Sequence, residues 1–449
     1  MEREFDVVII GSGSAARAVA YPVRSAGWNV AMIDSRPFGG TCALRGCDPK
    51  KILVGAAEAI DHVSRMRGKG ITGTPSIRWS ELIAFKGTFT DPFPGQMLER
   101  LAAAGIIAIQ GRAQFISPNS IKLGDDTFRF KHCVIATGAK PAPLGIPGEE
   151  LAITSDDFLE LQVLPQHVLF IGGGYIAFEF AHVAARAGAS VTIAHRGARP
   201  LENFDSDLVE RLVTRTRGLG VDVQLGTEVT GIRRTGSGFS ISFEMKGSKK
   251  EVTADLVVHA AGRTPNINDL NLEVANIARE KHGIVVNEYL QSTTNTIVYA
   301  AGDAAASGGL PLTPVSGYEG SIVAHNLLQK DKRKTEALPV PSVVFTIPPL
   351  ASVGLTEEGA RRQGRKVEAK LIDTSSWYSS RRIGESCSGA KVLIDRGTDE
   401  ILGAHLLGPS ADETINLFVL AMRAGVRAGS LKQMLFAYPT HASDTGYFL

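Results

Sequence analysis

Cys42 and Cys47 lie five positions apart in the run Gly39-Gly40-Thr41-Cys42-Ala43-Leu44-Arg45-Gly46-Cys47-Asp48-Pro49-Lys50-Lys51. On one ideal α-helix such a pair would hold its Cα atoms about 8–9 Å apart. A disulfide needs about 4.4–6.8 Å. If the two sulfurs pair, the backbone between them must kink, and Gly46 supplies the freedom. A strained disulfide of that kind is easily reduced and tends to be catalytic. Three other fates compete: buried thiols, a structural disulfide and half of a metal site. The metal reading lacks ligands, since the nearest other candidate is His62 and zinc wants about four. A structural disulfide is unusual in a cytosolic chain. On the local residues alone, redox and bland readings both stand.

The elements around the pair narrow the choice. Val7 to Ile10 reads as a buried parallel strand, β-branched and bounded by glycine. Gly11-Ser12-Gly13-Ser14-Ala15-Ala16 follows, then a helical run to Ala26, then a strand from Val30 to Ile33 that ends at Asp34. This is a βαβ unit with Gly-x-Gly-x-x-Ala at its first turn, where glycines admit a pyrophosphate to a helix N-terminus. Asp34 stands where a carboxylate can take ribose hydroxyls. Ile52 to Met66 and part of Pro92 to Ala104 read as helices, Gly105 to Phe115 turns β-like, and Val134 to Ala139 is a strand running into a glycine turn. The stretch Pro141 to Gly148 reads as a linker.

The pattern then repeats. Val168 to Ile171 is a strand, Gly172-Gly173-Gly174-Tyr175-Ile176-Ala177 is a second Gly-x-Gly-x-x-Ala, a helix runs to Arg186, and Val191 to Ala194 is the next strand. This strand ends in His195-Arg196-Gly197-Ala198-Arg199, with no carboxylate. A basic cluster there suits a 2′-phosphate, hence NADP rather than NAD. Two dinucleotide units imply two dinucleotides, and a flavin between nicotinamide and sulfur is the economical choice. Asp255 to Ala260 and Thr296 to Asp303 give further strands, the latter ending in an acid suited to a sugar-like hydroxyl. From Pro341 the texture becomes α+β, with strands at Ser342 to Phe345, Lys391 to Ile394 and Ile401 to Leu406 and a helix from Asp412 to Ala424.

Composition bounds the rest. The 449 residues suggest two to four domains. A formal net charge of +2 gives no argument for nucleic acid or an anionic membrane surface. Four cysteines (Cys42, Cys47, Cys133 and Cys387) are too few for a secreted disulfide scaffold. No apolar stretch of 18 or more residues suggests a membrane span, and the N-terminus has no signal-peptide pattern, so the expected compartment is the cytoplasm.

Taken together, the chain resembles the flavin-dependent pyridine nucleotide–disulfide oxidoreductases, closest in motif to glutathione reductase and related to dihydrolipoamide dehydrogenase and mercuric reductase. Gly-Gly-Thr-Cys-x4-Cys-x-Pro-x-Lys carries the likeness; Ala-Thr-Gly at 136–138, Gly-Arg-x-Pro-Asn at 262–266 and Ala-x-Gly-Asp at 300–303 add to it in the family's order. The resemblance implies an α/β fold of two Rossmann-like domains, for FAD and NADPH, plus a C-terminal α+β dimerisation domain. The expected boundaries are 1–150 for FAD, 151–269 for NADPH, 270–335 returning to the FAD domain, and 336–449 for the interface. Cys47 would be the flavin-side sulfur and Cys42 the interchange thiol, joined as a redox-active disulfide. Lys51 and Glu179 would pair beside the flavin. Gly11, Gly13, Ser14, Ala16, Asp34, Gly40, Thr41, Lys51, Ala113, Thr137, Gly138, Asp303 and Thr313 would bind FAD. Gly172, Gly174, Tyr175, Ile176, Arg196, Arg199 and Gly262 would line the NADPH site. The protein would be a homodimer, each chain lending its C-terminal end to the partner's active site, and would hold no metal.

One departure bears on the acceptor. The family usually carries His-Pro-Thr near the C-terminus with a glutamate five residues after the histidine; this chain has Tyr438 and Ser443 there. A tyrosine near its reference pKa of about 10 is a poor base at pH 7. His441 and Asp444 are nearby but out of register. The leading expectation is an NADPH-dependent, FAD-containing reductase of a small disulfide or other small oxidant, atypical in lacking that dyad. The alternatives are reduction of a mercuric or cupric ion or a quinone at the same centre, and a redox-sensing flavoprotein without turnover. Mercuric reductases share the tyrosine but typically add a C-terminal cysteine pair, which is missing from Thr445-Gly446-Tyr447-Phe448-Leu449.

Overall fold

The strand Glu2–Ile10 begins exposed and charged, but its second half, Val7 to Ile10, is buried on both faces, which explains why that part is an unbroken apolar run rather than an alternation. Val7 and Ile9 enter one core with Ala16, Val19, Val23 and Met32. Val8 and Ile10 enter the opposite core with Phe128, Ile135 and Ala300. In the computed structural model, which describes residues 2–245 and 247–449, this strand is central to a mixed sheet. It pairs in parallel with Val30–Asp34 and with Asp126–Ile135. Ile107–Gln110 and Val298–Ala300 extend the parallel part, and Gln114–Ser117 and Ser120–Leu123 add an antiparallel edge. The helices Ser14–Ser25 and Thr313–Leu328 cover one face, so closely that a Cβ on Gly320 would meet the Ala15 carbonyl at 2.5 Å.

The chain divides into two compact units. This first one comprises Met1–Pro49, Phe85–Ala142 and Gly262–Ala337; the second comprises Lys50–Ala84, Pro143–Ala261 and Leu338–Leu449.

The second unit holds a parallel sheet in the order Asp222–Leu225, Ser190–His195, His167–Ile171, Leu256–His259. The helices Tyr175–Arg186 and Ser206–Gly218 pack into its core through Phe178, Ala181, Leu208 and Leu212. Three antiparallel strands, Thr227–Arg234, Phe239–Met245 and Ser248–Ala254, follow the sheet's outer strand. The C-terminal part is a five-stranded antiparallel sheet (Ser342–Val344, Leu350–Gly354, Ile401–Leu407, Gly389–Asp395, Val367–Asp373). The helix Ala411–Arg423 packs on it through Ile415 and Phe418. The mixed α/β architecture expected from the sequence is the one observed.

Two local expectations change. The helix read from Ile52 begins at Cys47 and runs to Met66, because Pro49 falls in its first turn, where no intrahelical N–H bond is lost. Trp79–Thr90 is a further helix ahead of Phe93–Ala103.

Candidate functional site

The kink between the cysteines is a helix break. Gly40–Arg45 is a six-residue helix that ends at Gly46 (φ −144°, ψ −112°), and a new helix starts at Cys47. The i,i+5 distance of a single helix therefore does not apply. Cys42 is half-buried and Cys47 exposed, and the expected disulfide between them is not formed: both carry thiols. The two side chains hydrogen-bond to each other, and this contact, followed by burial, pushes the Cys42 pKa far up; Thr313 acts the other way. Cys47 Sγ lies 3.4 Å from Thr313 Oγ1, and the Cys42 thiol points at Asp48 Oδ1, 4.0 Å away.

The first unit offers a dinucleotide cradle on the same elements. Gly11 has φ +114°, and a Cβ there would collide with the Ala136 carbonyl. Gly40 (φ +76°) approaches Gly13 so closely that a Cβ would lie 2.5 Å from its Cα. The helix opening at Ser14 has no side-chain cap and no acid in its first turn, so its free N–H groups remain available to an anion. Ala16 is fully buried in the helix–sheet seam. Asp34 accepts from Ser12 Oγ (2.6 Å) and Arg36 N (2.9 Å) at the strand end. Thr41 is exposed and Ala113 is buried in the loop after Ile107–Gln110. The Thr137 hydroxyl is buried with no hydrogen-bond partner among the described residues, next to Gly138 at φ +66°. The Asp303 pKa is raised, chiefly by burial, with Arg263 opposing. An uncapped helix N-terminus, a strand-end carboxylate, an orphaned buried hydroxyl and a desolvated acid fit FAD.

The second unit repeats the cradle. Gly172 (φ +124°) lies against the Ala260 carbonyl as Gly11 lies against Ala136. Gly174 precedes the helix Tyr175–Arg186, again uncapped and without an acid in its first turn. Tyr175 is largely exposed and Ile176 half-buried. His195 replaces the strand-end acid; its ring sits under Gly173, and its Nε2 lies 3.0 Å from the Arg199 carbonyl. Arg196 is exposed. Arg199 is already engaged, with Nη1 2.9 Å from Glu358 Oε1. Gly262 (φ +109°) falls in the first unit, where Arg263–Pro265 pairs with Ala139–Pro141.

The expected Lys51–Glu179 pair is not formed; Lys50 is the partner. Its Nζ lies 2.8 Å from Glu179 Oε2, and Glu179 also accepts from the Phe345 N–H at 2.8 Å. The reason is helical phase. Successive residues turn by about 100°, so Lys51 is set off from Glu179 and meets Glu58 (3.4 Å) and Asp412 (3.6 Å), its ammonium 4.4 Å from the centroid of the Phe345 ring that Lys50 also overlies. The i+3 spacing from Cys47 was the signal that could have found Lys50 in the sequence.

Tyr438 is 79% exposed. Ser443 Oγ donates to Thr440 O at 2.6 Å. His441 lines a cavity of about 380 Å³ with Arg382, Glu413 and Thr414. Its pKa is lowered, chiefly by burial.

The fold and these paired cradles define a two-dinucleotide redox protein. The family model described as "Pyridine nucleotide-disulphide oxidoreductase" matches residues 5–320, and that family's dimerisation domain matches residues 340–446. The chain belongs to the pyridine nucleotide-disulphide oxidoreductases and is an FAD-binding, NAD(P)H-dependent enzyme. It is 33% identical to a glutathione reductase of Burkholderia cepacia, over 98% of this chain and 97% of that one. It is also 33% identical to a mercuric reductase of Staphylococcus aureus, over 98% of this chain and 81% of that one. Among solved structures it is similar to the Cu(II) complex of the HOCl-induced flavoprotein disulfide reductase RclA from Escherichia coli. That match has a TM-score of 0.89 and 30% identity, with 99% of each chain covered. Among the described residues, no helix is long and apolar enough to cross a membrane.

Proposed function

We propose that the protein passes electrons from NADPH through FAD to Cys42 and Cys47 and on to a small oxidant, a low-molecular-weight disulfide first. The observation that carries this reading is the break at Gly46, which sets the two thiols in contact beside Thr313. A bound FAD supplies hydride acceptance from the nicotinamide and delivery of the electron pair to sulfur. Gly11, Gly13, Ser14, Ala16, Asp34, Gly40, Thr41, Ala113, Thr137, Gly138, Asp303 and Thr313 hold it; Gly172, Gly174, Tyr175, Ile176, Arg196, Arg199 and Gly262 hold NADPH. Lys50, with Glu179 behind it, replaces Lys51 in the proposed flavin-side pair, one helical turn from Cys47. Cys42, once deprotonated, attacks one substrate sulfur and releases the other as a thiolate that takes up a proton. Cys47 then attacks Cys42, releases the second thiol and closes the Cys42–Cys47 disulfide. The domain boundaries 1–150, 151–269, 270–335 and 336–449 and a homodimer joined through the last segment complete the proposal.

A second reading has its own support. Cys42 holds its proton tightly, and Tyr438 stands where the family has a base. A soft metal ion displaces thiol protons by coordination, and two cupric ions accept two electrons as the dithiol becomes a disulfide. The similarity to RclA, solved as a Cu(II) complex, favours this acceptor class. NADPH oxidation by purified protein, screened against glutathione disulfide, lipoamide, cupric and mercuric ions and quinones, tests both readings. Turnover of every accepted oxidant undiminished in both Cys42→Ser and Cys47→Ser would remove the sulfurs from the reaction.

A further inference from the structure

The turn that carries Asp303 is hung on a single buried carboxylate. Glu319, 3% exposed on the Thr313–Leu328 helix, accepts the Gly302 N–H at Oε2 (2.6 Å) and the Ser307 hydroxyl at Oε1 (2.5 Å). Ser307 Oγ in turn accepts the Gly309 N–H at 3.1 Å. One side chain thus gathers both ends of the segment from 302 to 309, which is exposed only at 308 and 309 and leads on to Thr313 at the dithiol. The fit is close: Gly302 has φ +66°, with Ser316 Oγ 2.8 Å from where its Cβ would be, and a Cβ on Gly309 would sit 2.7 Å from Glu319 Oε1.

An acid is a costly way to fasten a loop. Burial raises the pKa of Glu319, and the charge of Asp303 raises it further. Glu319 makes no ion pair among the described residues. An apolar side chain would avoid that desolvation cost but could not take two donors at once. What a side chain able to bond both Gly302 and Ser307 secures, and an apolar one cannot, is the orientation of the residue after Gly302.

We infer that Glu319 is a positioning residue for the flavin: it fixes the Gly302–Ser307 turn so that Asp303 faces the cofactor's hydroxylated chain. This rests on the proposed assignment of Asp303 to FAD. The sulfur chemistry makes no use of Glu319, and no sequence motif picked it out.

The test is FAD retention by the full-length holoprotein, measured as a dissociation constant by ultrafiltration, with the melting temperature of each variant alongside. Glu319→Ala should weaken FAD binding tenfold or more. Glu319→Gln should stay within about threefold of the parent, because its amide oxygen can accept from Gly302 N and its NH₂ can donate to Ser307 Oγ. Ser307→Ala, which removes one of the two bonds, should fall between them. A lowered melting temperature with an unchanged FAD constant in Glu319→Ala would make the residue a fold support only and overturn the inference. So would equal losses in Glu319→Gln and Glu319→Ala, since rescue by shape is the claim. Where Glu319→Ala does not fold, an unchanged constant in Ser307→Ala overturns it. Asp303→Asn separates the premise: if it binds FAD as tightly as the parent, the Asp303 assignment fails and takes the inference with it. A weakened Asp303→Asn beside an unchanged Glu319→Ala refutes the role of Glu319 alone.

Discussion

Replacing each lysine of the Lys50-Lys51 pair by methionine separates the two by energy. The Glu179 side chain is 1% exposed and that of Lys50 is 14% exposed, with charged atoms 2.8 Å apart. Removing one partner of a buried pair costs about 3–5 kcal/mol, because the other charge is left uncompensated. Glu179 keeps its bond from the Phe345 N–H, which places Lys50→Met near the lower end of that range. The Lys51 side chain is 41% exposed and its acids stand 3.4 and 3.6 Å away. Exposed pairs are worth about 0–1 kcal/mol, so Lys51→Met should cost little. The expected difference is about 2–3 kcal/mol in urea unfolding, with Lys50→Met the weaker protein. Adding Glu179→Gln to Lys50→Met removes the stranded charge and should recover part of the loss. Equal destabilisation by the two single changes, or a larger one from Lys51→Met, would refute the assignment of Lys50 to Glu179.

Other outcomes follow from the same geometry. Arg196→Glu with Arg199→Ala should abolish most of a preference for NADPH over NADH; equal kcat/KM for the two cofactors in the unchanged protein would count against the basic cluster. Two-electron reduction should give a long-wavelength charge-transfer band that Cys47→Ser removes and that Cys42→Ser shows without reductant; a band surviving Cys47→Ser reverses the sulfur roles. Because contact with Cys47 and burial raise the Cys42 pKa, its thiolate is scarce at neutral pH and grows as pH rises. Alkylation of Cys42 in the dithiol protein should therefore be slow at pH 7 and climb through the alkaline range, and a plateau below pH 8 would contradict it. A positioned acid–base group is worth about 10²–10⁴-fold, so Tyr438→His with Ser443→Glu should raise turnover of glutathione disulfide more than that of cupric ion. If the unchanged protein already turns over glutathione disulfide at about 10 s⁻¹ or more, Tyr438 is no handicap.

Legibility in the sequence followed how local the physics is. The two βαβ units were readable because strand, glycine turn and helix lie within some thirty residues, and each strand is apolar on both faces. Val367–Asp373 was not readable as a strand, since it is an edge strand of mostly exposed residues whose only partner among the described residues is Gly389–Asp395. The Lys50–Glu179 pair was misassigned by one residue because Lys51 was carried over from the family motif, and a helix expected only from Ile52 gave no phase for residues 47–51 against which to check it. Glu319 gave no signal, because its two donors come from a loop outside its own helix and its meaning appears only when 302–309 folds over it.

The two cradles differ least where they hold a pyrophosphate and most where they tell one dinucleotide from another. Gly11 against Ala136 and Gly172 against Ala260 are the same close approach made twice, and both following helices open without a cap or an acid. At the next strand end the first unit keeps Asp34, held by Ser12 and the Arg36 N–H, while the second has His195 tucked under Gly173 with arginines beyond it. A carboxylate there would repel a 2′-phosphate, and an imidazole with Arg196 exposed beside it does not. Arg199 is the qualified member of that cluster, because Glu358 already holds one of its nitrogens. Binding a phosphate through Arg199 must loosen or reorganise that ion pair, whereas Arg196 has none to give up among the described residues. On the proposed NADPH assignment, discrimination between nucleotides would rest first on Arg196, with Arg199 contributing the difference between a phosphate and a carboxylate as its partner.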